Sequence, residues 1–287
     1  MLTKTALKEY LDFALCVATS AGRLVLQQQN GVRVARKDDG SEVTDADREA
    51  ESLMRTMIAR RYPSHGILGE EFGEAEAADS GLLWVLDPID GTAWYAMGTP
   101  LFGNLVALLE DGEPVLGVIH LPGFGETICA AKGHGCWSIT GSSSPVRLRV
   151  MPCASLRHAT VLASGIQRSE MEGAKGGYRL GGIVRAAQKF KFYGDCVQHA
   201  VVCRGDASAA IDTVMRPWDS AAIVPCVEEA GGVVTTLEGE RHNVVFGGSL
   251  LTSSGPALHD ELIRSLNAGR SVESEFGCPV FPLQRPA

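Results

Sequence analysis

Residues 84–92 read Trp84-Val85-Leu86-Asp87-Pro88-Ile89-Asp90-Gly91-Thr92. The apolar run Leu82 to Leu86 predicts a buried strand with Asp87 at its end. Proline has no N–H for a sheet ladder, so the strand is expected to stop at Pro88 and the chain to turn. Asp90 follows one turn later, and Gly91-Thr92 then offers backbone N–H groups under little steric cover. Two carboxylates, the Ile89 carbonyl and free amides fall within a few residues of one another. Such a grouping suits metal ions and a phosphate better than a core.

Working outward, the sequence on either side supplies a helix pair and antiparallel strands. Leu7, Leu11, Ala14, Leu15, Ala18 and Val25 recur near a period of 3.6, which predicts an amphipathic helix over 4–28, ended by Asn30-Gly31. A short strand is expected over 32–37, then the turn Asp38-Asp39-Gly40-Ser41. Thr44 caps a second helix with Asp47 three residues on, in the manner of a capping box, and Pro63 lies just past its end. On that account Asp47 is an ordinary helix-start acid favoured by the dipole. The sequence from Ile67 to Gly73 steps from an apolar pair into Glu70-Glu71 between glycines. Adjacent carboxylates repel by about 4 kcal/mol at 4 Å and an effective dielectric near 20, so both acids taken alone point into water. Residues 74–81 read as a surface loop.

Downstream, Leu101 to Leu109 and Val115 to Leu121 are joined by Glu110-Asp111-Gly112-Glu113-Pro114, a hairpin signal. Short strands are expected over 127–131 and 136–140, and the polar stretch from Gly141 to Pro145 as a seam between two lobes, 1–141 and 142–267. The second half alternates strands (160–164, 209–212, 233–236, 250–253) with helices (195–203, 218–229, 256–266), which favours an α/β lobe. Loop mixed with helix is expected over 165–188, and residues 268–287 read as a tail. The glycines at 176–177 and 181–182 lack the preceding strand and the spacing of a dinucleotide fingerprint.

A chain of 287 residues holds a sizeable core, and its net charge of −8 without a basic run argues against nucleic acid as the main partner. No apolar segment approaches the roughly 18 residues needed to span a bilayer, and the N-terminus lacks a signal peptide's apolar run. A cytoplasmic protein with no membrane association is expected. Eight cysteines are scattered without a C-x-x-C pair, which points to reduced, mostly buried thiols.

The acids at element boundaries are Asp47, Glu70, Asp87, Asp90 and Asp219. Each alone is a cap, a loop or a turn residue; together they could not stand without cations. Oxygen-only ligation selects hard metals, magnesium first, with manganese or calcium behind it. Two such ions could activate a water and steady the leaving oxygen of a phosphoryl group. Amides at Gly91 and Thr92 would hold phosphate oxygens. Neither a G-x-S-x-G elbow nor a P-loop is present, and Asp87 and Asp90 lie too close along the chain to flank a sugar as a glycosidase pair.

Gly69-Glu70-Glu71, the run from Asp87 to Thr92, and Trp218-Asp219 followed by Glu229-Ala230-Gly231-Gly232 resemble the inositol monophosphatase superfamily of magnesium-dependent, lithium-sensitive phosphatases. The resemblance covers roughly residues 5–266. It implies a layered αβαβα sandwich of the inositol monophosphatase and fructose-bisphosphatase type, an α/β (α+β) fold often found as a homodimer. It further implies a first metal site of Glu70, Asp87 and the Ile89 carbonyl, and a second of Asp87, Asp90 and Asp219. Glu70 would also hold a third, weaker ion. Asp47 and Thr92 match the pair that orients the attacking water. Gly91 and Thr92 match the phosphate cradle, and Asp90, Asp212 and Asp219 complete the substrate wall. Two or three Mg2+ ions are implied, with Mn2+ as a substitute.

Within the superfamily, the stretches from Arg36 to Asp47, from Gly98 to Leu105 and from Gly248 to Asp260 resemble the histidinol-phosphate phosphatase branch. Asp212 stands where inositol phosphatases usually carry Glu, and Ala93 departs from the Arg or Lys common in the branch. The implied substrate is a small phosphorylated metabolite, L-histidinol phosphate in histidine synthesis. The alternatives are inositol 1-phosphate or another small sugar or nucleotide phosphate, and a non-catalytic partner protein of the kind some bacterial relatives form with transcription machinery. A carboxylate such as Asp212 could pair with the cation of histidinol phosphate.

Overall fold

Helices α1 (Lys4–Gln28) and α2 (Asp45–Arg61) form where the apolar spacing predicts them. The computed structural model describes residues 2–29, 31–37, 40, 42–75, 81–165 and 178–268. Gly176-Gly177, the end of the loop after Ala75 and nearly all of the expected tail lie outside the described residues. Thr44 caps α2 and Asp47 completes the box. Between the two helices, β1 (Val34–Arg36) pairs antiparallel with β2 (Glu42–Thr44).

The two helices pack on one face of an eight-stranded sheet. Its strands are β3 (Gly66–Gly69), β4 (Gly73–Ala75), β5 (Leu82–Asp90), β6 (Gly103–Glu110), β7 (Glu113–Leu121), β8 (Glu126–Ala131), β9 (Gly135–Thr140) and β10 (Val146–Leu148), with helix α3 (Thr92–Ala96) directly after β5. The order across the sheet is β10-β9-β8-β7-β6-β5-β3-β4, antiparallel throughout except where β3 runs parallel to β5. The β6–β7 hairpin turns on Asp111 and Gly112, both at positive φ (52° and 85°), as a two-residue primed turn requires. Residues 141–145 join β9 to β10 within this sheet, so the chain leaves it only after Leu148 and not at the expected seam.

One expectation is corrected at the site itself. Strand β5 does not stop at Pro88; it runs on to Asp90. Its partner register shifts from Asp87↔Leu105 to Asp90↔Gly103, three residues on one strand against two on the other. That bulge places the proline's missing donor where the ladder is already broken. The Asn104 side-chain amide donates to the Pro88 carbonyl, so the bulged backbone keeps a partner.

The second sheet contains β11 (Thr160–Ala163), β12 (Lys189–Phe192), β13 (Ala209–Asp212), β14 (Val233–Thr235) and β15 (Leu250–Ser253) in the order β12-β11-β13-β15-β14. Helices Asp195–Arg204 and Ile223–Glu229 lie between the two sheets, and Leu180–Ala186 and Pro256–Leu266 cover the outer face. These layers make the αβαβα sandwich expected. The helix expected over 218–229 is two pieces, Pro217–Ser220 and Ile223–Glu229. Pro225 accounts for the break: it gives no N–H to Ala221 and its ring crowds that carbonyl. The second piece closes on Gly231, at φ 88°, with Gly231 N–H bonded to Glu228 O and Gly232 N–H to Val227 O.

Candidate active site

The bulge in β5 turns three acids toward one point. Asp87, Asp90 and Asp219 each offer a carboxylate oxygen, and these oxygens lie within 4.8 Å of one another. Asp219 arrives from the short helix Pro217–Ser220, held by the Arg216 N–H at 2.7 Å. Asp87 is 1% exposed, and its Oδ1 has no hydrogen-bond partner. A buried carboxylate oxygen left in that state is costly, and a cation is the natural partner.

The electrostatics point the same way. Burial, then Glu70, Asp90 and Asp219, push Asp87 well above the usual carboxylate range. Asp90 is driven up by burial and then by Asp195 and Asp219. Burial raises Glu70 to about 7 against the opposing pull of Lys37, and burial raises Asp219 to about 6. A divalent ion offsets this mutual repulsion, and an all-oxygen donor set fits a hard one such as Mg2+.

Glu70 stands beside the three acids and outside their tight cluster. Its Oε1 accepts from Lys37 Nζ at 2.8 Å, and the same ammonium reaches Glu71 at 2.7 Å. The expectation that both acids point into water therefore gives way to a bridged pair. A further acid, unmarked in the sequence, shapes their loop. Glu51 is fully buried on α2, and it accepts from the amides of Glu71 (2.7 Å) and Phe72 (3.2 Å). Arg55 binds Glu51 at 2.7 Å and also donates to the Gly73 carbonyl. Gly69 makes this approach possible, because a Cβ there would lie 2.1 Å from Glu51 Oε1.

Asp47 does two jobs with two oxygens. Oδ2 accepts from the Thr44 amide (2.7 Å) and hydroxyl (2.5 Å), which is the helix cap. Oδ1 faces the Thr92 hydroxyl at 3.2 Å, and that hydroxyl lies 3.1 Å from the Ile89 carbonyl. Cap and site are thus one residue. Gly91 precedes α3 at φ 92°, and a Cβ there would sit 2.9 Å from the Leu101 carbonyl. Residues with side chains are strained at that φ.

Asp212, on β13, is buried in a network rather than open to the site. Oδ2 accepts from Gln198 Nε2 and lies 2.6 Å from His199 Nε2, while Ser164 Oγ donates to Oδ1. His199 Nδ1 in turn lies 2.8 Å from Thr252 Oγ1. Asp195 is the other acid unmarked in the sequence. It sits at the first turn of Asp195–Arg204, and the next amide, Cys196 N–H, donates to Asp90 Oδ2 at 2.5 Å. An acid in a first helical turn reads as a dipole partner, so the sequence carried little signal for it.

The arrangement can bind divalent cations, and the hydrogen-bonded Asp47–Thr92 pair can orient a small polar molecule beside it. Known proteins are similar to the chain. A chain similar over 261 residues at 36% identity, covering 90% of this chain and 98% of its own length, is a histidinol-phosphatase from Mycobacterium tuberculosis. A fructose-1,6-bisphosphatase/inositol-1-monophosphatase from Thermotoga maritima is 31% identical over 276 residues, covering 93% and 98%. The solved inositol monophosphatase from Anabaena superposes with a TM-score of 0.76 at 28% identity, over 90% of this chain and 95% of that one. The Inositol monophosphatase family profile matches residues 6–271. With the layered sandwich and the acid cluster, that match over nearly the whole chain makes the protein a member of the inositol monophosphatase family, whose members are phosphoric monoester hydrolases.

Proposed function

We propose that the protein is a Mg2+-dependent phosphomonoesterase that hydrolyses L-histidinol phosphate to L-histidinol and phosphate. The observation that carries the reaction class is the buried, unpartnered Asp87 Oδ1 amid Asp90 and Asp219. Support for the substrate is the 36% identity to a histidinol-phosphatase. Glu70, Asp87 and the Ile89 carbonyl would hold one ion and Asp87, Asp90 and Asp219 a second, with Glu70 serving a weaker third. When bound, such ions supply an activated water and charge compensation at the leaving oxygen.

The chain's own groups do the rest. Gly91 and Thr92 amides hold the phosphate oxygens, with Asp90 and Asp219 on the flank. The Thr92 hydroxyl, set between Asp47 and Ile89, orients the attacking water, and Asp47 Oδ1 draws its proton. The water oxygen bonds to phosphorus as the ester P–O bond breaks, and the departing oxygen takes up a proton, that drawn by Asp47 or one from solvent, so alcohol and inorganic phosphate are the products. The reading includes a cytoplasmic homodimer; among the described residues no helix is long and apolar enough to cross a membrane.

The similarity to the Thermotoga maritima bisphosphatase/monophosphatase favours inositol 1-phosphate as a second reading. Phosphate release from both esters, with and without Mg2+ and Li+, separates the two. A higher kcat/KM on histidinol phosphate, lost without Mg2+ and lowered by Li+, is expected. Preference for inositol 1-phosphate would move the assignment to the second reading, and no release from either ester would favour a binding protein.

A further inference from the structure

The alcohol side of the site carries two carboxylates of different availability. Asp212 is 4% exposed, and protein donors already occupy both of its oxygens. Asp195 is half-buried at the mouth of a helix whose next five residues are buried.

The position of Asp195 is fixed from several sides. The following amide ties the helix to Asp90 Oδ2. The Trp94 indole lies beside the Asp195 carboxylate and favours its charged form. Gly194 permits that approach, since a Cβ there would meet Trp94 Nε1 at 3.1 Å. Asp195 Oδ2 would be 3.0 Å from a Cβ on Gly91, which puts the carboxylate beside the phosphate cradle. The backbone of Asp195 is held at φ 25°, a conformation that only Asn, Asp and Gly adopt with little penalty. Strain of this kind persists where the surroundings enforce it.

We infer that Asp195, steadied by Trp94, recognises a cationic group on the alcohol half of the substrate, so that the site selects phosphate monoesters of amino alcohols over those of uncharged polyols. The inference deepens the phosphatase reading above and rests on it. Asp87, Asp90 and Asp219 form the cluster that cations would occupy; Asp195 lies outside it, and a cationic group of the ligand would offset the burial that pushes its carboxyl up. A carboxylate offers about four acceptor positions to a ligand donor. An ammonium there makes charge-assisted hydrogen bonds with the carboxylate. Ala93, exposed next to Trp94, brings no competing positive charge.

The test compares wild type with Asp195→Asn on L-histidinol phosphate, 2-aminoethyl phosphate and inositol 1-phosphate at saturating Mg2+. Asn matches Asp in shape and tolerates the backbone conformation, so the fold is kept; thermal melting checks this. The variant is expected to lose at least tenfold more kcat/KM on the two cationic esters than on inositol 1-phosphate, mainly through KM. Equal losses on all three would overturn the role of Asp195 and leave the phosphatase assignment standing. A wild type that prefers 2-aminoethyl phosphate to the polyol ester but ignores histidinol phosphate, with the preference lost in Asp195→Asn, would overturn the histidinol assignment and support Asp195. A wild type that prefers inositol 1-phosphate to both cationic esters, or hydrolyses none, would overturn both.

Discussion

The two sides of the site are built in opposite ways. Asp87 and Asp90 come from one bulged strand, three residues apart, and their charges are left facing one another. Asp195 and Asp212 come from the second half of the chain; Trp94 lies beside the first, and Ser164, Gln198 and His199 partner the second. On the proposed reading the first side would take cations, Asp195 on the second would choose the alcohol, and Asp212 would hold the fold. One bulged strand thus brings two of the acids together, and packing the two sheets across a shared core brings Asp219 to them.

The comparison breaks first at Asp87. Asp87→Asn removes a charge that the proposed ions share, and kcat should fall at least about 10³-fold, the scale of losing a dominant electrostatic group. Activity within tenfold of wild type at saturating Mg2+ would sink the two-ion assignment. Glu51→Gln acts one step further out. It weakens the grip on the Glu71 and Phe72 amides and on Arg55, so the loop carrying Glu70 loosens. Half-maximal activation should need about 10–100-fold more Mg2+, the usual effect of disturbing a ligand's support. An unshifted Mg2+ titration would show that Glu51 stabilises the fold without placing Glu70.

A smaller effect should appear in melting curves. Asp219 is raised from 3.8 to about 6 and Glu70 from 4.5 to about 7. The folded state therefore holds protons that the unfolded chain has released, and the stability this gives is complete below about pH 4. It is lost as pH rises through the folded values. Added Mg2+ neutralises the same carboxylates and competes with protons for them. The Mg2+-induced rise in Tm should accordingly be larger by a few degrees at about pH 8 than at about pH 5. Calorimetry at both pH values checks this, and an equal or smaller shift at the higher pH would argue against ion binding by these carboxylates.

How much of this the sequence disclosed follows from distance along the chain. The stretch from Asp87 to Thr92 was legible because strand, proline, acids and glycine are contiguous; only the continuation of β5 through Pro88 was misjudged, since a bulge depends on the partner strand. Thr44 and Asp47 were legible as a cap, and the second oxygen of Asp47 became visible only once Thr92 lay against it. Glu51 and Arg55 look like any i,i+4 pair on a solvated helix face, and nothing local says that the face is buried. The break at Ala221 has a local cause in Pro225, within a run whose apolar residues on both sides resemble one continuous helix. Asp195 and Asp212 lie 17 residues apart on elements whose packing no periodicity reports.

Asp212 gives the mildest and most discriminating prediction. A carboxylate reaching out to the substrate cation would make Asp212→Asn costlier on histidinol phosphate than on a polyol ester. In the folded chain its oxygens instead accept from Ser164 and Gln198 and meet His199, and all of these partners belong to the second half of the chain. Asparagine would turn a donor toward at least one of them and leave a buried polar group unsatisfied, at about 1–3 kcal/mol. The loss should therefore appear as a Tm lowered by a few degrees, while the ratio of kcat/KM between the two esters stays within about twofold, a gap of about 0.4 kcal/mol. A ratio that falls tenfold with an unchanged Tm would reverse the roles of Asp195 and Asp212, because the buried network would then be serving the ligand and not the fold.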